Sequence, residues 1–261
     1  MKIPKHLTIK VRAVKIQTDG LIIGEQNVGE KDRLVTVLTR KIGVIRAFVK
    51  NCKSLKSAKG KATRLLCYSR LSIYKHRDAY IIDDAESEEL FIHLRTDIEK
   101  MSLAEYFCEL SQYLAPQETD AENYLRLILN ALYMLNKNKR PSLLIKSVVE
   151  LQIMTISGYM PDLICCCYCS AYENERMYFL PGCGKFVCGD CIGRLKEYFI
   201  AIDRSVATAM RHCIYAEYNK IFNFALPDEK IKLLNRCTEE YLLTATDHYF
   251  KTLPFYKAIG R

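Results

Sequence analysis

The chain has 261 residues, enough for one or two ordinary domains with a substantial hydrophobic core. Hydrophobic residues make up 49% and charged residues 26%, which is typical of a folded globular protein and excludes a disordered one. The N-terminus lacks the apolar segment of a signal peptide, and no run of about 18 apolar residues occurs. We therefore expect a cytoplasmic protein without membrane association.

Residues 1–85 predict a small β-barrel. Alternating or β-branched apolar runs occur at residues 7–11, 21–23, 34–38, 44–49, 71–74 and 80–82. About five short strands suit a closed barrel, although an OB fold, an SH3-like barrel and a small sandwich all give similar patterns. Residues 51–61 contain few apolar side chains and a lysine at every second or third position, which predicts an exposed basic loop.

Positive charge is concentrated in this N-terminal part. The formal net charge is +9, and residues 33–77 contain 13 lysines and arginines but no Asp or Glu, whereas the rest of the chain has 26 basic and 30 acidic residues. A localised basic field is typical of a surface that binds a polyanion. The candidate nucleic-acid-binding residues are Arg33, Arg40, Lys41, Arg46, Lys50, Lys53, Lys56, Lys59, Lys61 and Arg64.

Residues 86–160 predict a helical domain. Apolar side chains recur at three- and four-residue spacing from Leu90 onward, and Asp120 is a candidate N-cap for a later helix of this part. Helical periodicity returns in residues 196–261, beginning with a segment that continues through Ile221. Such apolar stripes indicate helix packing, and we assign them no chemistry.

Seven of the twelve cysteines lie between Cys165 and Cys191. Two Cys-x-x-Cys pairs are separated by 18 residues, and two such pairs supply the tetrahedral sulfur shell that Zn²⁺ favours. The predicted ligands of a structural Zn²⁺ are Cys166, Cys169, Cys188 and Cys191. Cys165 and Cys183 are neighbouring thiols that remain alternatives for one of these positions.

The sequence lacks the patterns of the enzymes that such cysteines suggest. None of the five histidines is followed two residues later by Glu, which excludes the zinc nucleobase deaminase pattern. Two matched cysteine pairs fit a metal better than a redox-active pair, and no GxxxxGK[ST] loop for ATP occurs. We therefore predict a protein that is not an enzyme.

Several motifs resemble the RecO family of recombination mediators. Residues 29–43 resemble its GE-x-D-x-hydrophobic signature followed by LT-x-x-x-G, and residues 50–61 resemble the basic segment that follows there. Residues 182–191 resemble the second knuckle of the zinc-containing branch. Two positions depart from the pattern: Asn51 replaces a common glycine, and Cys183 interrupts a glycine pair.

The resemblance covers essentially the whole chain and implies an α+β multidomain fold. Its parts are an N-terminal OB-fold DNA-binding barrel (1–85), a central α-helical domain (86–160), a four-cysteine zinc-finger module (161–195) and C-terminal helices packing on the helical domain (196–261). The resemblance also implies that the protein acts at the nucleoid in DNA repair and recombination, binding single- and double-stranded DNA and annealing complementary strands. Implied partners are RecR, the C-terminal tail of the single-stranded-DNA-binding protein and, indirectly, the RecA recombinase.

Two other classes of protein fit the same pattern. The first is a zinc-stabilised OB-fold factor that binds RNA or the ribosome. The second is a scaffold whose basic surface meets an acidic protein partner. Strand annealing separates the RecO-like hypothesis from both alternatives, because it requires that two nucleic acid strands be brought together.

Overall fold

The structure is a computed structural model that describes residues 15–54, 57–76, 79–194 and 196–259. Its described part contains a closed barrel, a layer of helices and a small sheet that carries the paired cysteines. The predicted α+β architecture is therefore confirmed. The strand predicted at residues 7–11 and the candidate Lys56 lie outside the described residues.

Five strands close into the N-terminal barrel in the order β1-β2-β3-β5-β4. They are β1 (Lys15–Val28), β2 (Asp32–Thr39), β3 (Gly43–Val49), β4 (Tyr68–His76) and β5 (Ala79–Glu89). Neighbouring strands are antiparallel except β3 and β5, which are parallel. A short helix, α1 (Ala58–Ala62), lies between β3 and β4. This five-stranded barrel is the OB fold that the resemblance to the RecO family implies.

The first strand is long because it pairs with two neighbours. Its first half pairs with β4 and its second half with β2, and a bulge between Ile22 and Gly24 lets it bend around the barrel. Gly20 lies where the three strands meet. A Cβ atom there would lie 2.8 Å from Cγ1 of Val37, so this crossing requires glycine.

The prediction of an exposed basic loop at residues 51–61 is right about exposed lysines but misses a helix and buried positions. Cys52 and Ala62 are buried in the barrel interior, and α1 forms between them with Ser57 as its N-cap. Gly60 is buried so close to the chain that a Cβ atom would lie 1.9 Å from the carbonyl oxygen of Cys52. The lysines of this segment therefore project from a packed connection. The pattern of charged residues concealed this packing because the buried side chains are small.

Six longer helices form the second layer. They are α2 (Ile98–Leu114), α3 (Glu122–Asn136), α4 (Ser142–Ile156), α5 (Arg204–Tyr215), α6 (Asp228–Thr246) and α7 (Thr252–Ile259). Helix α4 lies at the centre, with α2, α3, α5 and α6 packed around it. Its nearly continuous burial explains why its sequence is apolar on almost every side. The C-terminal helices thus pack on the central ones.

The helical pattern predicted from Leu90 is wrong at its start. Strand β5 continues to Glu89 because it remains paired with β4, where Tyr68 lies opposite Glu89. A 3-10 helix at Ile92–Thr96 follows, and α2 begins only after Asp97, whose side chain caps it. Tertiary pairing of the strand therefore overrides the local helical spacing.

The paired cysteines lie on a second sheet with the strand order β6-β8-β7-β9. Its strands are β6 (Asp162–Cys166), β7 (Met177–Leu180), β8 (Lys185–Cys188) and β9 (Ile200–Ile202). Strand β9 extends this sheet beyond residue 195. Helix α5 ends at Tyr215, so the predicted helical continuation through Ile221 is wrong. Within the described ranges, no helix has the length and apolar character needed to cross a membrane.

Candidate metal centre and nucleic-acid interface

The four predicted metal ligands come together at the end of strands β6 and β8. The Sγ atoms of Cys166, Cys169, Cys188 and Cys191 all lie within 4.8 Å of one another, and those of Cys169 and Cys188 are 3.5 Å apart. In a tetrahedral site with zinc–sulfur distances of about 2.3 Å, adjacent sulfur atoms are about 3.8 Å apart. The cluster therefore has the donor chemistry and the size of a Zn²⁺ site.

The local backbone explains why these sulfur atoms converge. Strands β6 and β8 are parallel neighbours and end at Cys166 and Cys188, so each first cysteine of a pair reaches the same edge. Each pair then turns tightly: the Ser170 N–H donates to the Cys166 carbonyl at 2.9 Å, and the Cys191 N–H donates to the Cys188 carbonyl at 3.1 Å. Two similar turns thus present two sulfur atoms each.

The other thiols of this region lie outside the group of four. Cys165, the strand neighbour of Cys166 in β6, is half-buried and points to the opposite face of the strand, and Cys167 lies in the following turn and is exposed. Cys183 is exposed. Next to it, Gly184 has a φ of +65°, and a Cβ atom there would lie 2.7 Å from the ring of Tyr241. Of the glycines in residues 182–191, Gly184 is the one that combines a left-handed conformation with a close approach to the helical layer.

The thiols of the cluster have unequal acidities. Burial raises the pKa of Cys166, but backbone N–H groups, including those of Cys188 and Cys169, outweigh burial and lower this pKa to about 6. Burial and the neighbouring sulfur atoms raise the pKa of Cys191 to about 12. Because zinc binds thiolates, binding of zinc to the cluster would displace protons from those of its thiols that are still protonated.

A residue that the sequence analysis missed anchors this module to the helices. Arg211 of α5 is buried, and its guanidinium donates to the carbonyl oxygens of Leu163 and Tyr172, both at 2.7 Å. The same guanidinium lies 4.2 Å from the centre of the Tyr172 ring. The carbonyl partners are 48 and 39 residues away in the chain, so no local sequence signal points to them.

A second missed feature is a buried ionic network between α4 and α6. Lys146 and Glu150 are completely buried, and Lys146 Nζ lies 2.7 Å from Glu150 and 2.9 Å from Glu239. Tyr106 and Thr238 donate hydrogen bonds to the two carboxylate oxygens of Glu150. The sequence did contain one signal for this network, which is a lysine and a glutamate four residues apart in a largely apolar helix.

The predicted nucleic-acid-binding residues fall into separate groups in the structure. We call the first group the basic rim; its members are Arg46, Lys50, Lys53, Lys59 and Lys61. They project from β3, from its C-terminal end and from α1, and their side chains are exposed except for that of Lys59, which is half-buried. None of them forms an ion pair with a carboxylate among the residues that the structure describes.

The basic rim is attached to the neighbouring turn between β1 and β2. The Cys52 N–H donates to the Lys31 carbonyl at 2.9 Å, and Lys53 Nζ donates to the Gly29 carbonyl at 2.7 Å. On α1, Lys59 Nζ contacts the Asp83 carbonyl of β5 at 3.3 Å. These contacts hold the rim at one end of the barrel.

Arg40 and Lys41 lie at the opposite end of the barrel, in the turn between β2 and β3. Arg40 is paired with Asp19 at 2.6 Å and with Glu122 of α3 at 2.7 Å. Lys41 donates to the Gln17 carbonyl at 2.8 Å. Strand β3 separates this turn from Lys50 by roughly 20 Å, because a strand rises about 3.3 Å per residue, and Arg46 lies near the middle of the strand.

The remaining two described candidates have other surroundings. Arg33 is only 4% exposed, and its Nη1 donates to the carbonyl oxygens of Gly60 and Thr63, both at 3.1 Å. Arg64 is exposed and lies 3.8 Å from Glu25. Arg33 therefore holds α1 against β2, while Arg64 extends the basic surface beside the rim.

One aromatic ring accompanies the rim on the outer surface of the barrel. Phe48 is half-buried, belongs to the same strand face as Arg46, and pairs in register with Leu34 of β2 and Ile81 of β5. In contrast, Tyr80 packs against the barrel interior. Phe48 therefore lies on the same strand face as Arg46, a cation without a carboxylate partner in the described part of the chain.

The fold and these sites define the class of the protein: an OB-fold protein with a central helical layer and a four-cysteine module. Residues 13–91 match the family model described as "Recombination protein O N terminal", and residues 95–254 match "Recombination protein O C terminal". The chain therefore belongs to the RecO family of DNA repair proteins, which confirms the resemblance seen in the sequence.

Relatives that carry the name DNA repair protein RecO match over nearly their full length. The protein of Acetivibrio thermocellus is 29% identical over 247 residues, covering 94% of this chain and 98% of the relative. The protein of Alkaliphilus metalliredigens is 24% identical, covering 94% and 99%. That of Caldicellulosiruptor bescii is 27% identical, covering 94% and 98%.

Proposed function

We propose that this protein binds single- and double-stranded DNA through the basic rim and anneals complementary strands without nucleotide hydrolysis. The observation that carries the proposal is the rim itself, whose cations project from β3, from its C-terminal end and from α1 without carboxylate partners among the described residues. Phosphate groups are the partners that such cations lack. Because annealing leaves the base edges free to pair, its contacts fall mainly on phosphates and are largely independent of sequence.

The barrel surface supplies a second element of this interface. Phe48 lies beside Arg46 on the outer face of β3, where a base can stack on its ring. Arg40 does not belong to the proposed interface, because two carboxylate groups of the protein already bind it. Arg33 is buried and its Nη1 is held by two carbonyl oxygens, so it is not part of the exposed rim. Lys41 lies at the far end of the barrel and is a candidate only for a long DNA segment.

The four-cysteine module has a structural role in this proposal. Cys166, Cys169, Cys188 and Cys191 would hold one Zn²⁺ with four sulfur ligands, which leaves no open coordination position for a substrate. Zinc supplies rigid crosslinking of β6 and β8 there. We accordingly propose that the protein is not an enzyme.

Family membership supports the rest of the proposal. Within DNA repair and recombination, the protein would act at the nucleoid with RecR, bind the C-terminal tail of the single-stranded-DNA-binding protein, and so help to load RecA. A pull-down from lysate with the full chain as bait, probed for RecR and the single-strand-binding protein, tests these partners. Absence of both from the washed complex would contradict this part of the proposal.

The central experiment is a mixing assay with labelled complementary oligonucleotides, with and without ATP, across a salt series. We expect annealing above the spontaneous rate, no effect of ATP, and inhibition by salt. Five phosphate contacts would lower the logarithm of the affinity for single strands by about 3.5 per decade of salt. Binding without faster annealing would favour the RNA- or ribosome-binding factor, and absence of binding would favour the protein scaffold.

A further inference from the structure

A depression lies at the rim end of the barrel, beside the turn that joins β1 and β2. Its volume is about 380 Å³, and its lining includes Asn27, Arg33, Lys53, Lys61 and Arg64. Four of these five residues are permanently or normally cationic, and the amide of the fifth can donate hydrogen bonds. The depression is therefore lined largely by groups that favour an anion.

The buried member of this lining has an unsatisfied donor. Hydrogen bonds from Arg33 to the described residues leave from Nη1 alone, toward the carbonyl oxygens of Gly60 and Thr63. Its Nε is buried and has no partner, and it is the one such side-chain atom in the described part of the chain. Arginine cannot lose its charge at physiological pH, so the missing partner must be supplied as an acceptor or an anion.

The carboxylate nearest to this group does not neutralise it. Glu25 lies 3.6 Å from Arg33 and 3.8 Å from Arg64, and one of its oxygens also accepts from the Leu65 N–H at 3.2 Å. One negative charge therefore faces two arginines, while Lys53 and Lys61 have no carboxylate partner in the described part of the chain. The depression retains an excess of positive charge.

We propose that this depression is a seat for one phosphate group of a nucleic acid strand, formed by Arg33, Lys61 and Arg64. The proposal rests on the DNA-binding function proposed above and assigns one contact to a defined place. A tetrahedral phosphate accepts several charge-assisted hydrogen bonds at once, which suits a guanidinium beside an ammonium group. Small adjustment of Arg33 would bring its free donors to the phosphate oxygens, and the seat would fix the register of the strand against the barrel.

The test compares two pairs of substitutions in the full chain. The seat pair is Lys61→Gln with Arg64→Gln, and the control pair is Arg46→Gln with Lys50→Gln, which removes the same charge outside the depression. Affinity is measured for an oligothymidylate with a 5′-hydroxyl, for the same strand with a 5′-phosphate, and for inorganic pyrophosphate. The Nε–H signal of Arg33 is followed by nuclear magnetic resonance in each titration.

We expect the seat pair to weaken oligonucleotide binding roughly tenfold, as loss of charge-assisted hydrogen bonds does, and to abolish pyrophosphate binding. The Arg33 Nε–H signal should shift with both ligands in the wild type. Equal affinity for the two strands identifies an internal phosphodiester as the occupant, and tighter binding of the 5′-phosphate strand identifies a terminal phosphate. The control pair should weaken oligonucleotide binding but leave pyrophosphate binding and the Arg33 shift unchanged.

The outcomes separate the two proposals. Suppose that the control pair weakens DNA binding, that the seat pair binds DNA as tightly as the wild type, and that the Arg33 signal does not shift in the titrations. The seat is then overturned and the DNA interface stands. If pyrophosphate binds through Lys61 and Arg64 but no oligonucleotide binds, the depression is an anion site whose occupant is not a nucleic acid, and the proposed function fails. Glu25→Gln adds an independent check: removal of the competing carboxylate should tighten binding, and weaker binding would contradict the seat.

Discussion

Arg40 Nη1 lies 2.7 Å from Glu122 Oε1, which joins the turn between β2 and β3 to the first turn of α3. The same guanidinium holds Asp19 of β1 at 2.6 Å, and Asp19 also accepts a short hydrogen bond from Tyr68. The barrel and the helical layer are therefore joined by a charged contact in addition to their shared apolar core.

The first prediction concerns this contact. Arg40→Met should lower the free energy of unfolding by about 1–3 kcal/mol, because it leaves Asp19 partly buried with a single remaining partner. Lys41→Met is the matched control, since Lys41 is exposed and donates only to the Gln17 carbonyl. Urea denaturation measures both variants. Equal midpoints for the two would show that the Arg40 contact does not stabilise the fold.

The second prediction is a pH dependence that arises from Asp19. The hydrogen bond from Arg40, opposed by burial, lowers the pKa of Asp19 from 3.8 to about 2. A carboxyl group with a lowered folded-state pKa stabilises the protein above pH 4, and this contribution is lost as the pH falls toward 2. Allowing for solvent screening of the partly exposed pair, it is on the order of 1–2 kcal/mol. Urea denaturation at a series of pH values measures the free energy of unfolding. In the Asp19→Asn variant this free energy should fall less steeply with falling pH than in the wild type, and an unchanged slope would contradict the assignment to Asp19.

The third prediction is one structural zinc per chain. Cys166→Ser and Cys188→Ser should each reduce zinc content sharply and loosen the small sheet, because zinc binding of roughly 10–16 kcal/mol is coupled to folding in structural sites. Cys183→Ser is the control, since its sulfur lies outside the group of four. Metal analysis and hydrogen exchange provide the measurements. Full zinc occupancy in either ligand variant would show that another thiol replaces that ligand.

The fourth prediction tests the buried network of Lys146, Glu150 and Glu239. Burial raises the pKa of Glu150, whereas Lys146 offsets the effect of burial on Glu239 and lowers its pKa. Lys146→Met should therefore destabilise the protein by about 3–5 kcal/mol, because it leaves the buried Glu150 without its cation, while Glu239 retains Lys257. Adding Glu150→Leu should recover part of this loss. Thermal unfolding that shows a larger loss in the double variant would contradict the argument.

The fifth prediction concerns the basic rim. Replacing Lys50, Lys53 and Lys59 by Glu should weaken DNA binding and reduce the salt dependence by about 0.7 log unit per lost contact per decade of salt. The melting temperature should change little, because the contacts that Lys53 and Lys59 make with carbonyl groups are solvent-exposed, while buried Cys52 anchors the segment. A charge-matched control replaces Lys137, Lys139 and Lys232 on the helical layer. Equal loss of affinity in the control would move the DNA site onto the helices.

The sequence by itself determined the features that depend on local spacing. Two Cys-x-x-Cys pairs identified the four sulfur atoms, because a tight turn of four residues brings both thiols of a pair to one point. Apolar alternation similarly identified the barrel strands, since side chains point to opposite faces in turn. The concentration of lysines between Lys50 and Lys61 also followed directly from the composition of one segment.

Only the tertiary structure decided which cations are free. Arg33 and Lys53 look equivalent in the sequence, but the carbonyl partners of Arg33 lie 27 and 30 residues away and bury it. Arg40 likewise meets Glu122 across 82 residues, which turns a candidate DNA contact into a link between barrel and helices. Charge is a property of a residue alone, whereas its availability to a ligand depends on groups that the fold brings near.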